Sequence, residues 1–166
     1  MRAKQLNIFS ENNAGAIFSD CRKYRYVLWR VWDEGLPKIS FIGLNPSTAN
    51  ESSDDATIRR VVKFARNWGY GGVYMLNLFT YVTAYPEELK KCENPLQMAD
   101  EFLKMFAERS KKIVFAWGSF EEAKERAIRV IKMFPDGYML LRNKDGSPRH
   151  PLYVKGDTKP VLFIKH

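Results

Sequence analysis

Hydrophobic residues along the chain keep two rhythms: short, nearly unbroken runs, and stripes at helical spacing. Runs at Gly15–Phe18, Tyr24–Trp32, Ile39–Gly43, Val73–Phe79, Lys112–Trp117 and Tyr138–Leu141 are rich in β-branched and aromatic residues and predict strands. Between them, Ile58, Val61, Val62, Ala65 and Trp68 recur at helical spacing, predicting a helix over 54–68 closed by Gly69. Ser52 with Asp55 reads as its capping box. Leu96, Ala99, Leu103 and Phe106 mark a second helix over 95–110, and a third runs from Ser119, paired with Glu122 as a cap, to Phe134.

Strands that alternate with helices in this way predict a largely parallel sheet covered on both faces. The first two runs flank Ser19–Lys23 and predict an antiparallel hairpin. The expected architecture is a single α/β domain over 1–166. It is a three-layer α/β/α sandwich with a mainly parallel central sheet, an N-terminal antiparallel hairpin as an embellishment, and a loose polar arm over 1–14. No repeat, low-complexity tract or linker interrupts it.

Composition narrows the function class. At 45% hydrophobic and 28% charged, the sequence belongs with folded chains and not with disordered ones. No apolar run approaches a membrane span and the N-terminus lacks a signal-peptide core, so a cytoplasmic protein with no membrane partner is expected. Cys21 and Cys92 are too few for a disulfide framework or zinc site. Only His150 and His166 are histidines, which excludes a histidine-rich metal centre; neither metal nor cofactor is expected. The formal charge of +8 favours a polyanionic partner, nucleic acid above all. No obligate protein partner is inferred.

The candidate chemistry sits where strands end. Ile39–Gly43 stops abruptly at Leu44-Asn45-Pro46-Ser47-Thr48, and Asn-Pro forces a turn because the residue before proline leaves the α region. Read alone, that turn is equally a tight connection without a ligand. Asn77, however, falls among residues that should be buried, and His150 stands in a proline-bounded loop after the fourth central strand. In a parallel sheet all three converge on the carboxyl edge, where ligands bind.

These residues carry a resemblance. Gly43-Leu44-Asn45-Pro46 resembles the first motif of the uracil-DNA glycosylase superfamily, in particular its mismatch-specific and thymine-DNA branches. Met75-Leu76-Asn77 is similar to the strand presenting a base-reading asparagine, Val114–Phe120 to a strand-to-helix Trp-Gly-Ser-aromatic segment, and His150-Pro151 to the start of the second active-site motif. The resemblance covers about residues 38–153. Tyr24-Arg25-Tyr26, Leu44–Ala49, Asp55–Arg60, Trp68–Gly72 and Arg149–Tyr153 together resemble, more closely, an uncharacterised bacterial and phage family of unknown function.

The glycosylase resemblance implies a protein that recognises a flipped, modified or mismatched base and hydrolyses its N-glycosidic bond. Asn45 would hold a water and His150 would donate to the base as it becomes an anion. Asn77 would read the base edge, within a site completed by Gly43, Leu44, Pro46 and Phe79. Ser47, Thr48, Ser119 and Arg149 would meet the DNA backbone. The sequence departs from the pattern at Ser47, at Leu152-Tyr153 after His150-Pro151, and in having no aspartate in the turn. A non-catalytic nucleic-acid or nucleotide binder is therefore the alternative. A metal-dependent hydrolase built on Asp54 and Asp55 ranks third, since both carboxylates suit the start of a helix.

Overall fold

The computed structural model describes residues 13–164. Seven strands form one sheet: β1 Ala14–Phe18, β2 Arg25–Val31, β3 Lys38–Gly43, β4 Gly72–Asn77, β5 Lys112–Phe115, β6 Tyr138–Met139 and β7 Val161–Leu162. The α-helices among the described residues are α1 Ala56–Asn67, α2 Ala99–Ala107 and α3 Lys124–Met133. The sheet order is β1-β2-β4-β3-β5-β6-β7. Strands β4, β3, β5 and β6 run parallel, with antiparallel pairs at β1/β2, β2/β4 and β6/β7. The fold is mixed α/β, and no helix among the described residues is long and apolar enough to cross a membrane.

Side chains that alternate along a strand fall into two separate cores, as the period of two requires. Val73 and Met75 of β4 pack with Ile39 and Phe41 of β3 and with Ile58, Val61, Phe64 and Ala65 of α1. Tyr74 and Leu76 turn the other way, packing with Phe102, Leu103 and Phe106 of α2 and Val130 of α3. Beneath α1, Trp68 stacks on Phe64 and Phe41, so the residue that ends the helix also seals its underside.

Several expectations are corrected. The hairpin is no embellishment: β2 hydrogen-bonds to β4 and is buried on both faces, with Val27 and Trp29 in one core and Leu28 in the other. Most of the proposed arm lies outside the described residues, and Ala14 already belongs to β1. The capping box at Ser52 is absent. Asp55 itself caps α1, accepting from Ile58 N at 2.9 Å. Ser119 caps nothing, because it bonds to Asp145 and a 3₁₀ turn over Glu121–Ala123 precedes α3. The helix expected over 95–110 is trimmed to Ala99–Ala107, leaving Leu96 exposed. The last central strand is only two residues long, and β7, an unforeseen strand, pairs with it at that edge.

Strand order decides where a crevice opens. The chain leaves β3 for β4 on one side, and leaves β5 for β6 on the other. Adjacent strands whose connections depart in opposite directions leave a gap outside their carboxyl ends. Here that gap lies between the ends of β3 and β5.

Candidate functional site

The backbone closes this gap into a pocket of about 210 Å³. Gly43, Leu44, Asn45 and Ser47 line it from the β3 turn, Asn77 and Met75 from β4, Trp117 from the end of β5 and His150 from the distal loop. Arg25 of β2 and Asp55, Thr57 and Ile58 at the start of α1 complete much of the wall. Of the residues singled out from sequence, Asn45, Asn77, His150, Gly43, Leu44 and Ser47 thus share one cavity.

Others do not. Phe79, expected to stack on a ligand, is buried in the core shared with α2, its N–H bonded to Leu44 O at 3.0 Å. Pro46 is buried outside the cavity lining and its carbonyl is consumed locally, while Thr48 is exposed and outside it. Ser119 and Arg149 lie in an adjoining groove with Asn143 and Tyr153, which meets the pocket at Trp117 and His150. Arg149 is held there by Asn143 Oδ1 at 2.8 Å.

Each principal side chain is locked in one hydrogen-bonding sense. Asn45 donates through Nδ2 to Pro46 O at 2.9 Å and Thr83 O at 2.8 Å, leaving Oδ1 as the group it can offer. Asn77 is the reverse. Its Oδ1 accepts from Arg25 Nη2 at 3.2 Å, and its Nδ2 lies beside Gly43 without a partner among the described residues. Gly43 makes room for it: a Cβ there would stand 2.9 Å from Asn77 Nδ2 and 2.7 Å from Met75 Cε. His150 Nδ1 accepts from Leu152 N at 3.1 Å, so the neutral ring carries its proton on Nε2.

The His150 loop is clamped from two sides. Gly118, with φ of 77°, turns the chain after β5 and donates to Pro148 O at 2.9 Å. Arg60 of α1 reaches across to Pro151 O at 3.2 Å and to Val154 O. Partial burial of the ring holds its pKa below the ordinary 6.5, with Asp55 opposing. The native state therefore favours the neutral ring, whereas the unfolded chain takes the proton more readily. The associated stability is fully present above about pH 6.5 and is lost as pH falls through the lower folded value. Wild type should accordingly lose more urea stability than His150→Gln between about pH 7.5 and about pH 5. Equal losses would mean that the ring is not desolvated.

Arg25 is the member the sequence concealed. It is only 3% exposed, donates through Nη1 to Ala49 O at 3.2 Å, and leaves Nε unpaired. Burial lowers its pKa to about 10, with Asp55 opposing and Arg30 adding to the shift, so it stays charged at neutral pH. Asp55 serves the cap of α1 and the pocket wall together. Asp54 turns outward to Arg30 at 2.9 Å, and among the described residues no three His, Cys, Asp or Glu side chains cluster as a metal set.

The model of a family described as "Protein of unknown function (DUF1643)" matches residues 25–152, from the buried Arg25 to just past His150. No curated protein and no solved structure matches the chain.

Proposed function

The chain belongs to this family of unknown function, and we propose from its own pocket that it is a DNA glycosylase-like protein. On this reading it takes a flipped, modified or mismatched nucleobase into the switch-point pocket and hydrolyses the base–sugar bond. One observation carries the proposal: Asn45, Asn77 and His150, each fixed by a neighbour in one hydrogen-bonding sense, open on the same cavity. The three-layer, uracil-DNA glycosylase-like reading of the fold belongs to this proposal too. Its support is the division of β4 side chains between the core under α1 and the core under α2 and α3.

In the chemical step, the bond between base nitrogen and sugar C1′ breaks, leaving an anionic base and a cation-like sugar. His150 Nε2–H donates to an oxygen of the base as negative charge gathers there. A preorganised donor of this kind acts where charge develops. Asn77 Nδ2–H holds the base edge. Asn45 Oδ1 orients the water whose oxygen joins C1′ and whose proton is lost to solvent or a wall carboxylate. Breaking stacking and pairing to extrude the base costs a few kcal/mol, which contacts to the backbone offset. With a formal charge of +8, those contacts are expected to be strongly salt-dependent.

The test is a single-turnover assay on DNA containing uracil, mismatched thymine or hypermodified pyrimidines, read by abasic-site formation, with binding measured in parallel at low and physiological salt. Base release supports the proposal. Salt-sensitive binding with every base left intact favours the second reading, a non-catalytic binder. That reading has its own support: the turn after β3 carries Asn45, whose amide is spent on backbone, and not a carboxylate able to activate water strongly. Salt-insensitive binding would point to a small-molecule ligand.

Gly43→Ala gives a sharper check on the site. The added methyl would press on Asn77 Nδ2 and Met75 Cε, covering the one donor that Asn77 has to offer. Affinity for a base-containing strand should fall about tenfold or more, the value of roughly one good base-edge contact. Unchanged affinity would move the ligand away from Asn77.

A further inference from the structure

We infer that Arg25 is a specificity-setting residue that acts through Asn77 and makes the pocket select a base edge bearing oxygen over one bearing an amino group. The inference rests on the base-binding reading above. An asparagine side chain offers a donor and an acceptor, and turning it over about its last bond exchanges the two, so by itself it does not discriminate a carbonyl from an amine. A guanidinium has five donors and no acceptor. Beside Arg25 Nη2, at 3.2 Å, only the oxygen of Asn77 is tolerated, and the amide NH₂ must face the other way. The orientation is thus dictated by the neighbour's chemistry.

Three further features hold the arrangement. Arg25 cannot swing aside, because it is buried and its Nη1 bonds Ala49 O. Asn77 is the last residue of β4 and lies level with Gly43 in the β3/β4 register, so its backbone is fixed within the sheet. Its Nδ2 emerges over the one position of β3 that has no side chain. An incoming exocyclic NH₂ would meet an NH₂, donor against donor, whereas a carbonyl oxygen would complete the pair. His150 Nε2–H presents a second donor in the same cavity, so the pocket favours ring edges carrying more than one acceptor.

Calorimetric titration of the folded chain with free bases tests this. Uracil and cytosine, and hypoxanthine and adenine, are compared as oxo and amino counterparts on wild type, Arg25→Met and Arg25→Lys. Wild type should bind each oxo base about tenfold or more tighter than its amino counterpart, the discrimination expected of one good base-edge contact. Arg25→Met, which lets the amide turn over, should bring the ratio to within about threefold while still binding. Arg25→Lys has donors only and should keep most of the wild-type ratio. A merely structural arginine would alter affinity for all four bases alike and leave the ratio standing, which overturns the inference. So would a lysine variant as indifferent as the methionine one. Equal affinity of wild type for oxo and amino bases overturns it without any variant, should Arg25→Met fail to fold. Binding of none of the four bases sinks the base-binding reading itself, a result distinct from binding without selectivity.

Discussion

If the chain cleaves a glycosidic bond as proposed, His150→Ala should slow base release roughly a hundred- to thousand-fold in single-turnover assays, the cost of removing one preorganised donor to a developing anion. Binding of the intact strand should change far less. The asymmetry follows from where the donor acts: in the ground state the base oxygen is nearly neutral, and it becomes strongly basic only as the bond to sugar breaks. Three features prepare the ring for this role. Its Nδ1 is occupied by Leu152 N–H, its burial disfavours the imidazolium, and its loop is clamped by Arg60 and Gly118. Removing the ring leaves the backbone bond from Tyr153 N to His150 O in place, at 3.0 Å, so the 3₁₀ turn it begins should persist. Rate and affinity falling by the same factor would assign His150 to binding alone. A normal rate would remove it from the chemistry.

The largest effect on stability is expected at Phe115. Its ring is fully buried at the end of β5, tilted against Trp117 at 4.9 Å and edge-on to Phe163 at 5.5 Å. Gly137 passes so close that a Cβ there would stand 2.2 Å from the ring. Phe115→Ala loses both the transfer energy and the contacts around the resulting void, together about 3–5 kcal/mol. Against a total that is typically about 5–15 kcal/mol, this is a large share. Because Trp117 leans on Phe115 and also walls the pocket, ligand affinity should fall in the same variant. Urea unfolding measures the first effect and titration the second. A stability loss below about 1 kcal/mol would mean that the surroundings collapse into the space.

What the sequence made legible is local. The helical spacing of Ile58, Val61 and Ala65 found α1, and the apolar runs at Ile39–Gly43 and Val73–Asn77 found the pair that carries Gly43 and Asn77. Asn45, Asn77 and His150 stood out because polar groups interrupted an apolar logic at strand ends. Arg25 gave no such sign, since an arginine between two tyrosines at the head of a strand reads as a solvated edge. Its burial beside Ala49 and Asn77 depends on contacts distant in sequence, which have no local spelling. Asp55 was legible as a helix cap, but its place in the pocket wall depends on how α1 docks. Phe79 misled for the opposite reason, because aromatic residues beyond a strand serve a core as readily as a ligand. Ser119 likewise resembled a cap until Asp145, distant in sequence, claimed its hydroxyl.

The pocket draws its walls from position 25 to position 150, and that span has a consequence for assembly. Strand β3 sits between β4 and β5, which arrive later in the chain, so its edges wait through long loop closures before either neighbour docks. Contacts of that range slow folding, because loop entropy is spent before they form. No cavity exists on a nascent or half-folded chain, since Arg25 has no Asn77 to orient until β2 and β4 meet. Ligand binding therefore reports that β2, β3, β4, α1 and the distal loop have come together, and by mass action a bound ligand stabilises the folded chain.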